Sequence, residues 1–161
     1  MNALEFAIQM EIDGEQYYLE QAKKNQGSTV EVVLIKLAED EKNHANLLRS
    51  ELKGASYELE ADENLDDIEN IFKNHGDFKS LKNKPDQLDI YRTALENEQK
   101  SIDLYNEFYT KADTDSAKNL FRFLVKEEQK HFKIIEHIVL ELNKPNDWVE
   151  SAEFGVRKEE Y

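Results

Sequence analysis

The 161-residue chain has no cysteine, two prolines and five glycines. Without cysteine, these residues can form no disulfide, zinc–thiolate site, iron–sulfur cluster or thiol nucleophile. So few helix breakers, beside abundant Glu, Lys, Leu and Ala, argue against turn-rich β architecture and for an all-α fold. Positive charge is also scarce. Lys and Arg number 21 against 35 Asp and Glu, a net charge of -14, which disfavours nucleic acid and anionic membrane surfaces as partners. No apolar run approaches the length of a membrane span. The opening MNALEFAIQMEIDGEQ lacks a basic segment leading into an apolar one, so no secretion signal is expected and the expected location is cytoplasmic.

What the sequence does have is helical periodicity. Leu4, Ala7, Ile8, Glu11, Tyr18 and Ala22 recur at three- and four-residue steps, as on one face of a helix. Leu34, Leu37, Ala38, Glu41, Ala45, Leu48 and Leu52 form a second such stripe. Tyr91, Ala94, Leu95, Glu98, Ile102, Tyr105 and Tyr109 form a third, and Leu120, Phe121, Leu124, Glu128, Ile135 and Ile138 a fourth. Between the first two, Gly27 suits a left-handed C-terminal cap, and Ser28 with Glu31 reads as a capping box. Between the last two, Asp113-Thr114-Asp115-Ser116 supplies turn and N-cap chemistry. Both junctions are short, so each pair is expected to fold as an antiparallel hairpin.

The stretch 54–85 is longer than an ordinary helix–helix loop and reads as a crossover running the height of a bundle. Leu65, Ile68, Ile71 and Phe72 could form one short helix within it. Residues 1–142 thus make the expected four-helix domain. The tail 143–161, with Trp148 and Phe154, either packs on the bundle or a second subunit or is a disordered acidic end.

The two hairpins look like copies. A shift of 87 carries Ala7 to Ala94, Glu11 to Glu98, Tyr18 to Tyr105, Leu37 to Leu124, Glu41 to Glu128 and His44 to His131. Self-similarity at a fixed offset predicts a pseudo-two-fold axis, with matched side chains delivered to it from each half.

Each stripe carries one Glu. A buried, unpaired carboxylate costs several kcal/mol or is forced to protonate, and no Lys or Arg on these stripes compensates. Two divalent metal ions, about +4 in charge, would balance four carboxylates and two neutral imidazoles. Glu11 and Glu41 lie 30 residues apart, as do Glu98 and Glu128, and each interval is centred on its turn, so all four should meet in one layer. In Glu41-Lys-Asn-His44 and Glu128-Gln-Lys-His131 the i, i+3 spacing puts carboxylate and imidazole on one face. Solvated Glu faces with core-edge histidines are the plainer alternative. His75 and His137 have no Glu three residues earlier and are assigned surface or structural roles.

Around this set the residues leave choices open. Tyr18 and Tyr105 are either core aromatics or hydrogen-bonding supports of the ligand carboxylates, with a possible redox role. Asp40 and Glu127 either face water or accept the outward imidazole N–H of the opposite half's histidine. Gly14 and Ser101 serve either close helix packing or space for a small oxidant.

One Glu from each of two helices and Glu-x-x-His from each of two others resembles the ferritin-like di-iron carboxylate superfamily. Within it, Met10-Glu11-x-x-Gly14-x-x-Tyr17-Tyr18, Glu39-Asp40-Glu41-x-x-His44 and Glu127-Glu128-x-x-His131 look like the rubrerythrin-related branch. The resemblance implies a ferritin-like four-helix bundle and a di-iron centre held by Glu11, Glu41, His44, Glu98, Glu128 and His131. Glu41 and His44 would hold one iron and Glu128 and His131 the other, with Glu11 and Glu98 terminal or bridging. Manganese uses similar ligands. The implied activity is oxidation of bound iron(II) by hydrogen peroxide or dioxygen, as an oxidative-stress defence in a homodimer. Ferritin-like iron storage with ferroxidase chemistry is the alternative, and a metal-stabilised helical module without turnover a third. Two features depart from the pattern. Rubrerythrins usually carry a four-cysteine rubredoxin module, so the electron donor here would be separate. They also carry an extra Glu one turn before the third-helix ligand, where this chain has Leu95.

Overall fold

The structure, a computed structural model, describes residues 2–61 and 87–144. Among them are four helices: α1 (Ala3–Lys24), α2 (Thr29–Lys53), α3 (Gln87–Lys111) and α4 (Asp115–Asn143). Their starts follow from local chemistry. Asn2 caps α1 through a capping box with Glu5, whose amide donates to the Asn2 side chain at 2.8 Å; the sequence reading had not assigned it. At α2 the Ser28 hydroxyl accepts the Glu31 amide at 3.2 Å, but the Glu31 carboxylate takes the Gly27 N–H at 3.3 Å, one residue before the N-cap. The expected box is therefore offset on its return side. Gly27 has φ +82, a conformation open to glycine at little cost, although the C-cap of α1 is Asn25. Thr114 caps α4 by accepting the Ala117 amide at 3.1 Å.

α1 packs along α2 and α3 along α4, giving the two expected hairpins. Contacts across the bundle fix the directions. Tyr18 of α1 meets Glu98 of α3, and Tyr105 of α3 meets Glu11 of α1, so α1 and α3 run antiparallel. His44 with Glu128 and His131 with Glu41 make α2 and α4 antiparallel. α2 and α3 therefore run the same way, and the end of α2 and the start of α3 lie at opposite ends of the bundle. That is the arrangement a crossover requires, and the expected one (54–85) is described only to residue 61. Its first residues are tied down where Tyr57 donates to Glu51 at 2.6 Å and Ser116 of α4 donates to the same oxygen at 2.9 Å. The short helix expected after Asn64, His75, and the tail from Pro145 with Trp148 and Phe154 lie outside the described residues.

The core forms two apolar layers. One holds Ala22, Val30, Val33, Leu34, Leu37, Tyr91, Ile135 and Ile138; the other holds Ala7, Leu48, Tyr105, Leu120, Phe121 and Leu124. Truncating one of the fully buried leucines to Ala costs about 2–5 kcal/mol. The predicted stripes are the buried faces, although Leu4, Ile8, Leu95 and Tyr109 are only half-buried and Leu52, at the end of α2, is 40% exposed. Between the two layers lies a polar one. No helix among the described residues is long and apolar enough to cross a membrane.

Candidate metal centre

The polar layer consists of the six side chains that the stripes bring inward. Glu11 comes from α1, Glu41 and His44 from α2, Glu98 from α3, and Glu128 and His131 from α4. All are at most 4% exposed. The ligand-type atoms fall into two groups, each within 4.8 Å: Glu11, Glu41, His44 and Glu128, and Glu41, Glu98, Glu128 and His131. Glu41 and Glu128 belong to both, while Glu11 and Glu98 each belong to one.

The hydrogen bonds obey the pseudo-two-fold relation of the repeat. His44 Nδ1 lies 2.9 Å from Glu128, and His131 Nδ1 lies 2.9 Å from Glu41. The two rings stack with centroids 5.6 Å apart. Tyr18 donates its hydroxyl to Glu98, and Tyr105 donates to Glu11 at 2.5 Å. Each tyrosine thus supports the carboxylate of the opposite hairpin. Asp40 is buried and lies 2.9 Å from His131 Nε2, which fixes that nitrogen as the N–H and turns Nδ1 inward. Its counterpart Glu127 is also buried and meets the Lys130 ammonium at 3.3 Å, a pairing not anticipated from the sequence. His137 is half exposed, 3.8 Å from Glu141.

The electrostatics show what the layer demands. Burial pushes the Glu41 and Glu128 carboxyls well above the ordinary range, and the neighbouring carboxylates push further in the same direction. Burial works the same way on Glu11, but contacts with Glu41, His44 and Tyr105 overcome it and lower the group to about 2. Glu98 is lowered likewise against burial, by Glu128, His131 and Tyr18. For His131, burial favours the neutral ring, yet Glu98, Asp40 and Glu128 raise it well above its usual value. Burial and adjacent carboxylates raise both Tyr18 and Tyr105, keeping them protonated donors. Without a cation, protons therefore occupy the spaces between carboxylates.

The atoms left over fit a metal. Glu11 Oε2, Glu98 Oε2 and Glu128 Oε2 are buried without a hydrogen bond; around them stand other carboxylates and, at 3.5 and 3.7 Å from Glu11 and Glu128, the Nδ1 atoms of His44 and His131, so a proton or cation is needed between the acidic groups. Carboxylate oxygens with imidazole nitrogens suit divalent iron or manganese. Gly14 leaves room for this arrangement, since a Cβ there would lie 3.0 Å from Glu41 Oε2.

A cleft of about 720 Å³ opens between α1 and α3 and reaches Glu41, Glu98 and Tyr18. Sequence periodicity gave no sign of it, because it depends on how far apart two helices stand. The small-residue pair Gly14 and Ser101 lines it and was the nearest available signal.

No curated protein and no solved structure matches the chain. A protein-family model described as Rubrerythrin matches residues 2–139, and a second match covers 89–157. The second match begins 87 residues after the first, the same offset that relates the two hairpins. With the match spanning all four helices of a ferritin-like bundle, the chain belongs to the rubrerythrin family.

Proposed function

We propose that the polar layer is a di-iron centre whose bound iron(II) reduces hydrogen peroxide or dioxygen. The supporting observation is the pair of buried ligand groups sharing Glu41 and Glu128. In this reading Glu11 and His44 would help hold one iron and Glu98 and His131 the other, with Glu41 and Glu128 within reach of both. Two iron(II) ions held there would supply the two electrons that convert one hydrogen peroxide to two waters.

The protein's own part is to hold charge and exclude bulk water. Tyr105 and Tyr18 orient the carboxylates of Glu11 and Glu98, each from the opposite hairpin. Asp40 keeps a proton on His131 Nε2 and so presents the Nδ1 lone pair once the ring is neutral. The protons that occupy the metal-free layer leave as cations enter. The two apolar layers hold the carboxylates at low polarity, where their charge is strongly felt. The 161 residues contain no cysteine, so a thiolate-held electron donor such as rubredoxin comes from outside them.

The test is to load the protein anaerobically with iron(II) and mix it with peroxide and, separately, with dioxygen. Oxidation of both irons by at least one oxidant, followed optically, supports the reading. Binding without oxidation by either would reject it in favour of a structural metal site.

A further inference from the structure

We propose that the cleft between α1 and α3 binds the organic part of a neutral alkyl or aryl hydroperoxide, with its peroxy group directed to the carboxylates on the cleft floor. The inference rests on the iron reading above for its chemistry, but not for its binding step.

Size is the first argument. A water molecule occupies about 30 Å³ of liquid, and hydrogen peroxide, one oxygen larger, takes only a little more. The cleft measures about 720 Å³, within the range of pockets that bury organic ligands. Lining is the second. Phe6, Met10 and Tyr17 of α1 face Ala94 and Leu104 of α3, an apolar wall on both sides. The floor differs: Gly14 contributes no side chain, and Tyr18, Glu41 and Glu98 reach the bottom. Such a pocket matches a molecule apolar at one end and polar at the other.

The walls are held apart rather than collapsed. Tyr17 donates to the Ile90 carbonyl at 2.7 Å, and Tyr18 and Tyr105 cross between the same two helices. Between these struts the link is soft: the Ser101 hydroxyl meets the Met10 sulfur at 3.5 Å. A thioether on a flexible side chain adapts readily to ligand shape. Charge selects a neutral ligand. Lys100 is the single cation lining the cleft and Asp13 lies in the same lining, while the chain as a whole carries -14 and repels anions.

The reaction balances with iron(II) as reductant. The O–O bond of ROOH breaks, two iron(II) each give up one electron, and two protons are taken up. The products are one alcohol, one water and two iron(III).

Binding is tested on the metal-free protein with the product-like alcohol 2-phenylpropan-2-ol. ¹³C-methyl labelling of methionine reports on the cleft through Met10. The Met10 signal should shift saturably, and Leu104→Trp should weaken the binding at least tenfold. Asn97→Trp, at an exposed position on the cleft rim, gives the same loss with less risk to folding. After iron loading, the rate of iron oxidation by cumene hydroperoxide relative to hydrogen peroxide should fall at least tenfold in both variants. No Met10 shift up to the solubility limit of the alcohol would overturn the proposal, whatever the metal content. So would a Met10 signal that moves with protein concentration alone, because the cleft would then be covered by a second copy. Iron that fails to oxidise with hydrogen peroxide defeats the di-iron reading instead, and leaves the binding result standing.

Discussion

Replacing Glu41 with Gln separates what the fold needs from what a metal needs. In the metal-free protein burial and nearby carboxylates hold the Glu41 carboxyl neutral, facing Glu11 on one side and His131 Nδ1 at 2.9 Å on the other. A glutamine amide reproduces both contacts, its NH2 donating to Glu11 and its carbonyl accepting from His131. One hydrogen bond exchanged for another changes stability by about 1 kcal/mol or less. At higher pH, where wild type must ionise the Glu41 carboxyl inside the layer, the variant should become the more stable, by about 1–4 kcal/mol. Metal reverses the order. At a free concentration of 100 times Kd, each occupied site adds about 2.7 kcal/mol, so two sites add about 5 kcal/mol. Glu41 belongs to both ligand groups, so Glu41→Gln should lose nearly all of that gain. Glu11→Gln, a member of one group, should lose about half. The assay is anaerobic urea denaturation followed by circular dichroism, with and without manganese(II) as a redox-stable cation. The reasoning fails if Glu41→Gln keeps the metal-dependent gain, or if the metal-free variant loses more than about 3 kcal/mol.

The metal-free protein should also show an unusual pH profile. Glu41, Glu128 and His131 have raised pKa values, so their contribution is full below the unfolded values and is lost as pH rises. Glu11, lowered to about 2, and Glu98 contribute above the ordinary carboxyl value of 4.5 and lose that as pH falls. As far as these groups decide it, stability peaks near pH 4.5 and then declines by at most about 1.4 kcal/mol per pH unit for each proton. Thermal melts from pH 4.5 to 9 check this, and a melting temperature that climbs steadily from pH 5 to 8 would contradict it. Tyr105→Phe removes the donor to Glu11 and should cost about 1–3 kcal/mol; Tyr18→Phe, its pseudo-symmetric partner at Glu98, should cost a similar amount. Denaturation of both variants beside wild type tests whether either hydroxyl matters. Gly14→Ala should act in opposite directions on fold and site. Alanine favours helix α1 by about 1 kcal/mol, but its Cβ would press on Glu41 Oε2 from 3.0 Å and lower metal affinity about tenfold. A metal titration and a metal-free melt on the same sample separate the two effects.

The helices and the site were legible for the same reason. Glutamates on otherwise apolar stripes, repeated at one offset, leave few ways to fold except with Glu11, Glu41, Glu98 and Glu128 in one layer. The cross-hairpin tyrosine contacts follow from that offset once the helices run as they do. That Glu41 and Glu128 belong to both ligand groups was not legible, because i, i+3 spacing says which face a carboxylate lies on and not how far it reaches past the axis. Nor was the cleft, whose width is set by Tyr17, Tyr18 and Tyr105 crossing between α1 and α3. Asp40 and Glu127 occupy equivalent positions in the repeat, yet Asp40 meets His131 and Glu127 meets Lys130.

The most direct measurement is an anaerobic iron(II) titration of the purified protein with metal content determined per chain. The account gives tight saturation at two irons per chain in wild type and near-complete loss in a Glu41→Gln, Glu128→Gln double variant that still folds. Saturation at one iron or none in wild type, or two irons retained by the double variant, would contradict it.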